Sequence, residues 1–200
     1  MAHPYVPEMT TLRQFAILVD LDGTLIDSFV ANWLAYRDAA AALGYVLTHQ
    51  QFSNVWGMDS RYFLKELLPS ATQGEIQEIR DTKSLIYRNF LERIQLNRDL
   101  TELLGVMSRV APIGLVTSAK RQSVHEILTH FDLDSLFSIV VTGDDVDEPK
   151  PDPQPYLLAI SKLRIPSELI FVFEDSHAGI QSARSAGLKV VRMSFRSSVT

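Results

Sequence analysis

Carboxylates, hydroxyls and one lysine stand where short apolar segments of this sequence end. They are Asp20 and Asp22, Thr117 and Ser118, Lys150, and Glu174 and Asp175. Carboxylates that lie close together raise one another's pKa unless a cation neutralises them. Oxygen ligands without His or Cys favour a hard cation, and a site that shares a phosphate suits Mg²⁺ better than Zn²⁺. Because a lysine and a hydroxyl can also bind a phosphoryl group, the set predicts a site for phosphoryl transfer.

Each of these residues also has an ordinary explanation when it is taken alone. Asp20 and Asp22 are typical of turns, and Asp175 is typical of a helix start. Thr117 could be a hydroxyl at a strand end, and Lys150 a solvated charge in a rigid loop between two prolines. Their occurrence in order, each after a successive apolar segment, favours a joint site.

Five short apolar segments predict the strands that would position these residues. They cover residues 15–19, 113–116, 137–141, 169–173 and 188–193. Helix-like segments lie between them at residues 100–110, 122–130, 156–163 and 178–186. This alternation is typical of a parallel sheet with helices on both faces, so we predict an α/β fold with a Rossmann-like core. In such sheets ligands bind beyond the carboxyl ends of the strands, where the candidate residues lie.

Residues 28–96 interrupt the alternation, because they lack a convincing strand and contain several helix-like segments in succession. The predicted helix starts are Ser28, Thr48, Asp59 and Thr72. The first of these helices is expected to end at Gly44. We therefore predict an inserted α-helical subdomain at residues 28–96 and a core formed by residues 1–27 and 97–200.

The composition is that of an ordinary globular protein. Hydrophobic residues make up 46% and charged residues 22%, which excludes the fibrous and disordered classes. The net charge of −5 provides no basic field for a nucleic acid or an anionic membrane. The lack of cysteine excludes disulfides and thiolate metal sites, and residues 1–14 lack the apolar run of a signal peptide. We expect a cytoplasmic protein with no nucleic-acid or membrane partner.

Four segments together resemble the motifs of the haloacid dehalogenase-like (HAD) hydrolase superfamily. They are DLDGT at residues 20–24, LVTSAK at 115–120, KPDPQPY at 150–156 and FVFEDSHAGI at 171–180. The resemblance extends over about residues 15–193, nearly the whole chain. It implies a Rossmann-like core, and the insert after the first motif looks like the small helical cap of phosphoglycolate phosphatases and β-phosphoglucomutases.

The resemblance also implies a role for each motif residue. Asp20 would be the nucleophile that forms an aspartyl-phosphate, and Asp22 the general acid and then the general base. Thr117 and Ser118 would bind the phosphoryl group, and Lys150 would offset its negative charge.

The metal implied by the resemblance is Mg²⁺. Its ligands would be Asp20, the backbone carbonyl of Asp22, and Asp175. Glu174 would be either a further ligand or a group that orients Asp175 or a water.

Two positions separate the reaction types of this superfamily. Asp22 is present where the dehalogenase members lack an aspartate, so phosphate-ester chemistry is favoured. Asn32 stands where β-phosphoglucomutases carry a histidine, which weakens the mutase alternative. The predicted function is hydrolysis of a small phosphorylated metabolite, resembling a phosphoglycolate or sugar-phosphate monoester. A phosphotransferase of the β-phosphoglucomutase type and a catalytically silent binding module remain alternatives.

The cap would select the substrate by closing over the phosphate site. Arg61 is a candidate to bind a second anionic group of the substrate, with a surface charge as its alternative. Trp33, Tyr36 and Trp56 would either line the substrate pocket or form the cap's core. Residues 95–99, QLNRD, differ from the proline and glycine that commonly precede the helix after the cap in this superfamily. The oligomeric state stays open.

Overall fold

The computed structural model of the protein describes residues 15–58 and 60–195, except for the side chain of Arg61. The described residues form seven strands: β1 (Ala16–Val19), β2 (Ile26–Asp27), β3 (Gln95–Leu96), β4 (Ile113–Val116), β5 (Ile139–Val141), β6 (Ile170–Glu174) and β7 (Lys189–Arg192). They also form eight α-helices: α1 (Phe29–Ala41), α2 (His49–Val55), α3 (Ser60–Leu67), α4 (Gln73–Ile86), α5 (Arg98–Met107), α6 (Arg121–His130), α7 (Gln154–Leu163) and α8 (His177–Ser185).

Five of the strands form one parallel sheet in the order β5-β4-β1-β6-β7. The central strand β1 pairs with β4 on one side and β6 on the other, so that Ile17 lies between Ile113 and Phe171. All four residues of β1 are buried. A strand covered on both faces is apolar without alternation, which explains the continuous apolar sequence at this position.

Helices cover both faces of the sheet. Ile17 and Val19 pack on one face with Leu104 of α5 and Ile127 of α6. Leu18 packs on the opposite face in a cluster that includes residues of α7 and α8. The predicted α/β fold is therefore confirmed, and the five predicted strands and four predicted helices of the core lie within a few residues of their expected bounds.

The inserted segment is helical, as predicted, and most of its predicted helix boundaries are observed. Thr48 and Thr72 each cap a helix with a reciprocal side-chain bond, to Gln51 in α2 and to Glu75 in α4. Gly44 follows α1 with a φ of +81°, the left-handed conformation that favours glycine. The predicted start at Asp59 lies outside the described residues. Helix α4 ends at Ile86, and the chain continues as a 3₁₀-helix at Tyr87–Arg93.

The interpretation that residues 28–96 lack a convincing strand was wrong at their end, because β3 (Gln95–Leu96) lies within them. β2 and β3 form an antiparallel pair in which Ile26 lies opposite Leu96 and Asp27 opposite Gln95. The pair lies where the chain enters and leaves the helical segment. A strand of two residues is too short to show a period in the sequence, so this pairing has no local signature. The boundaries at residues 28 and 96 stay predictions.

The helical insert has an apolar core of its own. Tyr36, Phe52, Phe63, Leu64 and Ile79 are buried together there. Full burial of such a side chain stabilises a fold by about 1.5–3 kcal/mol, so this cluster contributes to the stability of the insert. Among the described helices, none combines the length and the apolarity that crossing a bilayer requires.

Candidate active site

The loop after β1 carries the first two candidate carboxylates and is held by backbone contacts. The amide of Asp20 donates to the carbonyl of Phe173 at 3.0 Å, which extends the β1–β6 ladder to the start of the loop. Gly23 has a φ of +93°, and a Cβ at this position would overlap the carboxylate of Asp175. The loop therefore needs glycine both for its conformation and for its close approach to Asp175.

Lys150 joins three strand ends beneath this loop. Its Nζ donates at 2.7 Å to Oδ1 of Asp20, at 2.7 Å to Oε1 of Glu174 and at 3.0 Å to the carbonyl of Val116. Its side chain is 5% exposed. Burial disfavours the ammonium, but the carboxylates of Asp20 and Glu174 outweigh burial and hold the pKa of Lys150 above its ordinary value. Lys150 is therefore a fixed positive charge beside Asp20.

Glu174 uses both carboxylate oxygens inside the protein. Oε1 accepts from Lys150, and Oε2 accepts from the amide of Ser176 at 2.9 Å and from its hydroxyl at 3.0 Å. Gly179 in α8 lies so close that a Cβ there would overlap the Glu174 carboxylate. These contacts favour an orienting function for Glu174 over direct metal ligation, the two alternatives that the sequence left open.

The strand ends also bring together carboxylates with unbalanced negative charge. Asp20, Glu174 and Asp175 each offer an oxygen atom within 4.8 Å of the other two, with Lys150 as the neighbouring cation. Burial and the charge of Glu174 raise the pKa of Asp175. A divalent cation would offset this charge, and an all-oxygen donor set fits Mg²⁺. The side chain of Asp22 is outside this cluster.

Asp22 instead contacts the first turn of the insert. The hydroxyl of Ser28 donates to Oδ1 of Asp22. The amide Nδ2 of Asn32 lies 3.0 Å from the Ser28 Oγ and 3.5 Å from the Tyr87 hydroxyl. Burial raises the pKa of the Asp22 carboxyl, and the hydrogen bond from Ser28 opposes that rise only in part. A buried carboxyl with a raised pKa is suited to holding and releasing a proton.

The end of β4 supplies the two predicted hydroxyls. Thr117 is 3% exposed, and its Oγ1 accepts from the amide of Ala119 at 3.0 Å, which leaves the hydroxyl proton to donate. Ser118 is exposed to the cavity above the sheet. Its carbonyl lies against Gly143, where a Cβ would overlap the carbonyl oxygen.

A cavity of about 680 Å³ separates the strand ends from the helical insert. Its floor includes Asp20, Asp22, Ser118, Lys150 and Asp175. Its ceiling includes Asn32, Tyr36, Trp56, Arg80, Lys83 and Tyr87. Of the three aromatic residues considered for the pocket, Trp33 packs elsewhere, 5.0 Å from the His49 ring. The structure thus places the predicted Asp20, Asp22, Ser118, Lys150 and Asp175 at one end of one cavity, whereas Thr117 and Glu174 are buried and are not among its lining residues.

Lys83 is a cavity residue that sequence reasoning missed. Its Nζ lies 4.0 Å from the ring centroid of Tyr87 and 5.2 Å from that of Tyr36. Burial lowers the pKa of Lys83 to about 8, and the charge of Asp22 limits the fall. A lysine on an amphipathic helix is typical of a solvent-facing position, so the local sequence carries no sign of this placement.

Arg61 was predicted to bind a second anionic group. Its backbone belongs to α3, but its side chain lies outside the described residues. The prediction for Arg61 therefore remains untested by the structure.

Comparison with known proteins identifies relatives along most of the chain. The family model described as haloacid dehalogenase-like hydrolase matches residues 17–193. A protein of Thermotoga maritima named phosphorylated carbohydrates phosphatase is 33% identical over 183 residues, which cover 87% of this chain and 82% of that protein. The phosphoglycolate phosphatase of Nitrosococcus oceani is 29% identical over 187 residues, which cover 90% of this chain and 83% of that protein.

The fold is also similar to that of a solved structure. The crystal structure of CbbY from Rhodobacter sphaeroides in complex with phosphate superposes with a TM-score of 0.82. The match has 23% sequence identity and covers 92% of this chain and 87% of that one. At this identity the likeness establishes a shared fold.

Proposed function

The chain belongs to the haloacid dehalogenase-like hydrolase family, and on this premise we propose that it is an Mg²⁺-dependent phosphatase. Its substrate would be a small phosphorylated metabolite, hydrolysed through an aspartyl-phosphate intermediate. The observation that carries this proposal is the buried contact of Lys150 with Asp20, at the floor of a cavity that also exposes Asp22. This arrangement pairs a nucleophile with a fixed cation and places a second carboxyl beside it.

In the first step Asp20 attacks the substrate. A carboxylate oxygen of Asp20 forms a bond to phosphorus, and the bond from phosphorus to the leaving oxygen breaks. Asp22 donates its proton to that oxygen, so the product leaves as a neutral alcohol. Burial raises the pKa of Asp22, and a higher pKa favours the protonated form that a general acid needs.

In the second step water removes the phosphoryl group from Asp20. The deprotonated Asp22 accepts a proton from the water, whose oxygen forms a bond to phosphorus. The bond between phosphorus and the Asp20 oxygen breaks, which releases inorganic phosphate and restores both carboxyl groups. Covalent catalysis of this kind divides one difficult displacement into two easier ones.

Three side chains would hold the phosphoryl group during both steps. Lys150 provides the positive charge, and the hydroxyls of Thr117 and Ser118 donate hydrogen bonds. Glu174 keeps Lys150 in place through its Oε1 contact. Such preorganised donors act most strongly in a site from which water is excluded.

The Mg²⁺ site would use Asp20, Asp175 and the backbone carbonyl of Asp22. When bound, the ion would neutralise charge on the transferred phosphoryl group and on the carboxylates. Glu174 would orient the neighbouring groups rather than bind the ion, because its oxygens already accept hydrogen bonds from Lys150 and Ser176.

The cavity ceiling supports a small, polar and anionic substrate. A volume of about 680 Å³ is within the range of sites for small molecules. Arg80 and Lys83 lie on the ceiling, above the carboxylate floor, where they would attract a negatively charged or hydroxylated group. The Thermotoga maritima relative is named for phosphorylated carbohydrates, and a sugar-phosphate or phosphoglycolate-like monoester fits the same chemistry. A cytoplasmic location stays a prediction.

The function can be tested by phosphate release from a panel of phosphomonoesters with Mg²⁺. We expect release that stops with EDTA and in the Asp20→Asn variant. Asp38→Asn provides a matched control, because the side chain of Asp38 is partly exposed on α1 and pairs with Arg37. Isomerisation of a sugar monophosphate without phosphate release would indicate the phosphotransferase instead. No turnover by folded protein that binds Mg²⁺ would contradict both enzymes and indicate a binding module.

A further inference from the structure

Asn97 connects the returning end of the helical insert to the loop that follows β1. It lies directly after β3 and caps α5, because its Oδ1 accepts from the amide of Leu100 at 3.2 Å. Its backbone amide donates to the carbonyl of Leu25 at 2.9 Å. Its side-chain Nδ2 donates to the carbonyl of Thr24 at 3.1 Å. One side chain thus bonds both a core helix and the DLDGT loop.

Thr24 in turn contacts Asp175, a candidate metal ligand. Its side chain is fully buried, and its Oγ1 donates to Oδ1 of Asp175 at 3.0 Å. The bond uses one oxygen of Asp175, so the torsions of that carboxylate are restricted. The contacts Asn97–Thr24 and Thr24–Asp175 form a continuous path from the segment between β3 and α5 to the carboxylate cluster.

The chemistry of asparagine explains why this residue can make both contacts. The N-cap bond needs an acceptor, and the contact with the Thr24 carbonyl needs a donor. An amide carries both groups, and the helix contact orients its NH₂ towards Thr24. Aspartate and serine are good N-cap residues but have no amide NH₂ to donate.

We propose that Asn97 is a positioning residue that acts through Thr24 to hold Asp175 in the arrangement that binds Mg²⁺. This inference rests on the proposed function and adds to it a residue outside the four motifs. Asn97 preorganises the site, because the orientation of Asp175 is set before the ion arrives. Without the Nδ2 contact, part of the binding free energy is spent on ordering the loop, and the affinity for Mg²⁺ falls.

The test is the affinity of the full chain for Mg²⁺, measured without turnover from the rise in melting temperature with Mg²⁺ concentration. Asn97→Ser and Asn97→Asp both retain an N-cap acceptor and lose the donor to Thr24. We expect both variants to bind Mg²⁺ about fivefold more weakly, the size expected for one hydrogen bond. Both variants leave the carbonyl of the buried Thr24 without this donor, so their melting temperatures without Mg²⁺ should fall, and by less than when the cap is removed as well.

Three controls separate positioning from helix capping. Asn54→Ser makes the same exchange at an exposed position on α2 and should leave Mg²⁺ affinity unchanged. Asn97→Ala removes the cap as well and should lower the melting temperature without Mg²⁺. Thr24→Val removes the hydroxyl that bonds Asp175. Because both changes interrupt one path, the double variant Asn97→Ser/Thr24→Val should bind Mg²⁺ no more weakly than Thr24→Val alone.

Kinetics provides a second measurement. In Asn97→Ser the Mg²⁺ concentration for half-maximal rate should rise about fivefold, while kcat at saturating Mg²⁺ stays within about twofold. Parental Mg²⁺ affinity in both Asn97→Ser and Asn97→Asp, or additive losses in the double variant, would overturn the proposal. Failure of the proposed function is distinct, because the parent chain itself would then show no Mg²⁺-dependent phosphate release.

Discussion

The hydroxyl of Ser28 donates a hydrogen bond to the carboxylate of Asp22. Ser28 occupies the N-cap position of α1, but its side chain makes no capping bond to that helix. The residue is fully buried, and Asn32 donates to its Oγ from the next turn. The side chain of Ser28 therefore bonds Asp22, the candidate general acid, instead of capping α1. This bond connects the first turn of the insert to the candidate active site.

Replacing Ser28 tests this connection. In Ser28→Ala the Asp22 carboxyl loses its neighbouring donor and its fixed orientation, so we expect kcat to fall about tenfold with little change in KM. Steady-state kinetics on the best substrate of the panel would measure both constants. Ser28→Thr keeps the hydroxyl and should restore most of the rate. Equal kcat in Ser28→Ala and the parent chain would show that Ser28 does not position Asp22.

Replacing Lys150 should reduce both stability and activity. In Lys150→Met the carboxylates of Asp20 and Glu174 are left buried without their cation, a loss expected to destabilise the fold by about 3–5 kcal/mol. Urea unfolding without Mg²⁺ would measure this change. The double variant Lys150→Met/Glu174→Gln should recover part of the stability and none of the activity. Lys189→Met, at an exposed lysine on β7, is the matched control. Unchanged stability in Lys150→Met would contradict the buried ion-pair account.

Replacing Lys83 should affect stability and substrate binding in opposite directions. The folded-state pKa of Lys83 is about 8, below its ordinary value of 10.5, because burial disfavours the ammonium. Below pH 8 the residue is charged in both the folded and the unfolded state. The folded state then bears the full free-energy cost of burying the ammonium. As the pH rises from about 8 to 10.5, Lys83 loses its proton in the folded state first. The free-energy cost of burying the ammonium therefore decreases, and this residue destabilises the fold less.

Lys83→Met should therefore raise the melting temperature at pH 7 by about 2–5 °C. The same change removes positive charge from the cavity ceiling, so the KM for an anionic phosphomonoester should rise. In the parent chain KM should increase above about pH 8, and this increase should be absent in Lys83→Met. Thermal melting and a pH series of KM would measure these effects. A lower melting temperature together with an unchanged KM would contradict this assignment of Lys83.

Two glycine-to-alanine changes should have opposite effects on stability. Alanine normally stabilises a helix relative to glycine by about 1 kcal/mol, which is the expected gain for Gly105→Ala because an added Cβ there meets nothing within 4 Å. Gly179→Ala should instead destabilise the fold, because its Cβ would overlap the carboxylate of Glu174. We also expect activity to fall, since Glu174 holds Lys150. Urea unfolding compares the stabilities of the two variants directly. A stabilised, fully active Gly179→Ala protein would contradict the close approach of Gly179 to the Glu174 carboxylate.

Much of the fold was predictable because the sheet is buried on both faces. Each core strand is an apolar segment that ends abruptly in polar residues, and parallel strands place those ends at one edge of the sheet. This pattern predicts that Asp20, Lys150 and Asp175 lie together. In the structure Asp20 contacts Lys150 and shares the carboxylate cluster with Asp175, and Asp22 lines the same cavity.

The missed features depend on contacts between distant segments. Lys83 and Asn97 have ordinary local settings, one in the middle of a helix and the other before one. Their roles depend on Tyr87 and Asp22 in the first case and on Thr24 in the second, and no local pattern shows such neighbours. The departure from proline and glycine at residues 95–99 pointed to an unusual linker, but the amide bond to Thr24 required three-dimensional placement.

The most direct test of the proposed function is detection of the covalent intermediate on Asp20. The parent chain would be mixed with Mg²⁺ and its best substrate, quenched in acid within a turnover and analysed by peptide mass spectrometry. We predict a phosphoryl group on Asp20 and none on Asp22, with the signal absent in Asp20→Asn and in EDTA. Sustained phosphate release by Asp20→Asn, or turnover by the parent chain with no phosphoryl group on Asp20, would contradict the mechanism.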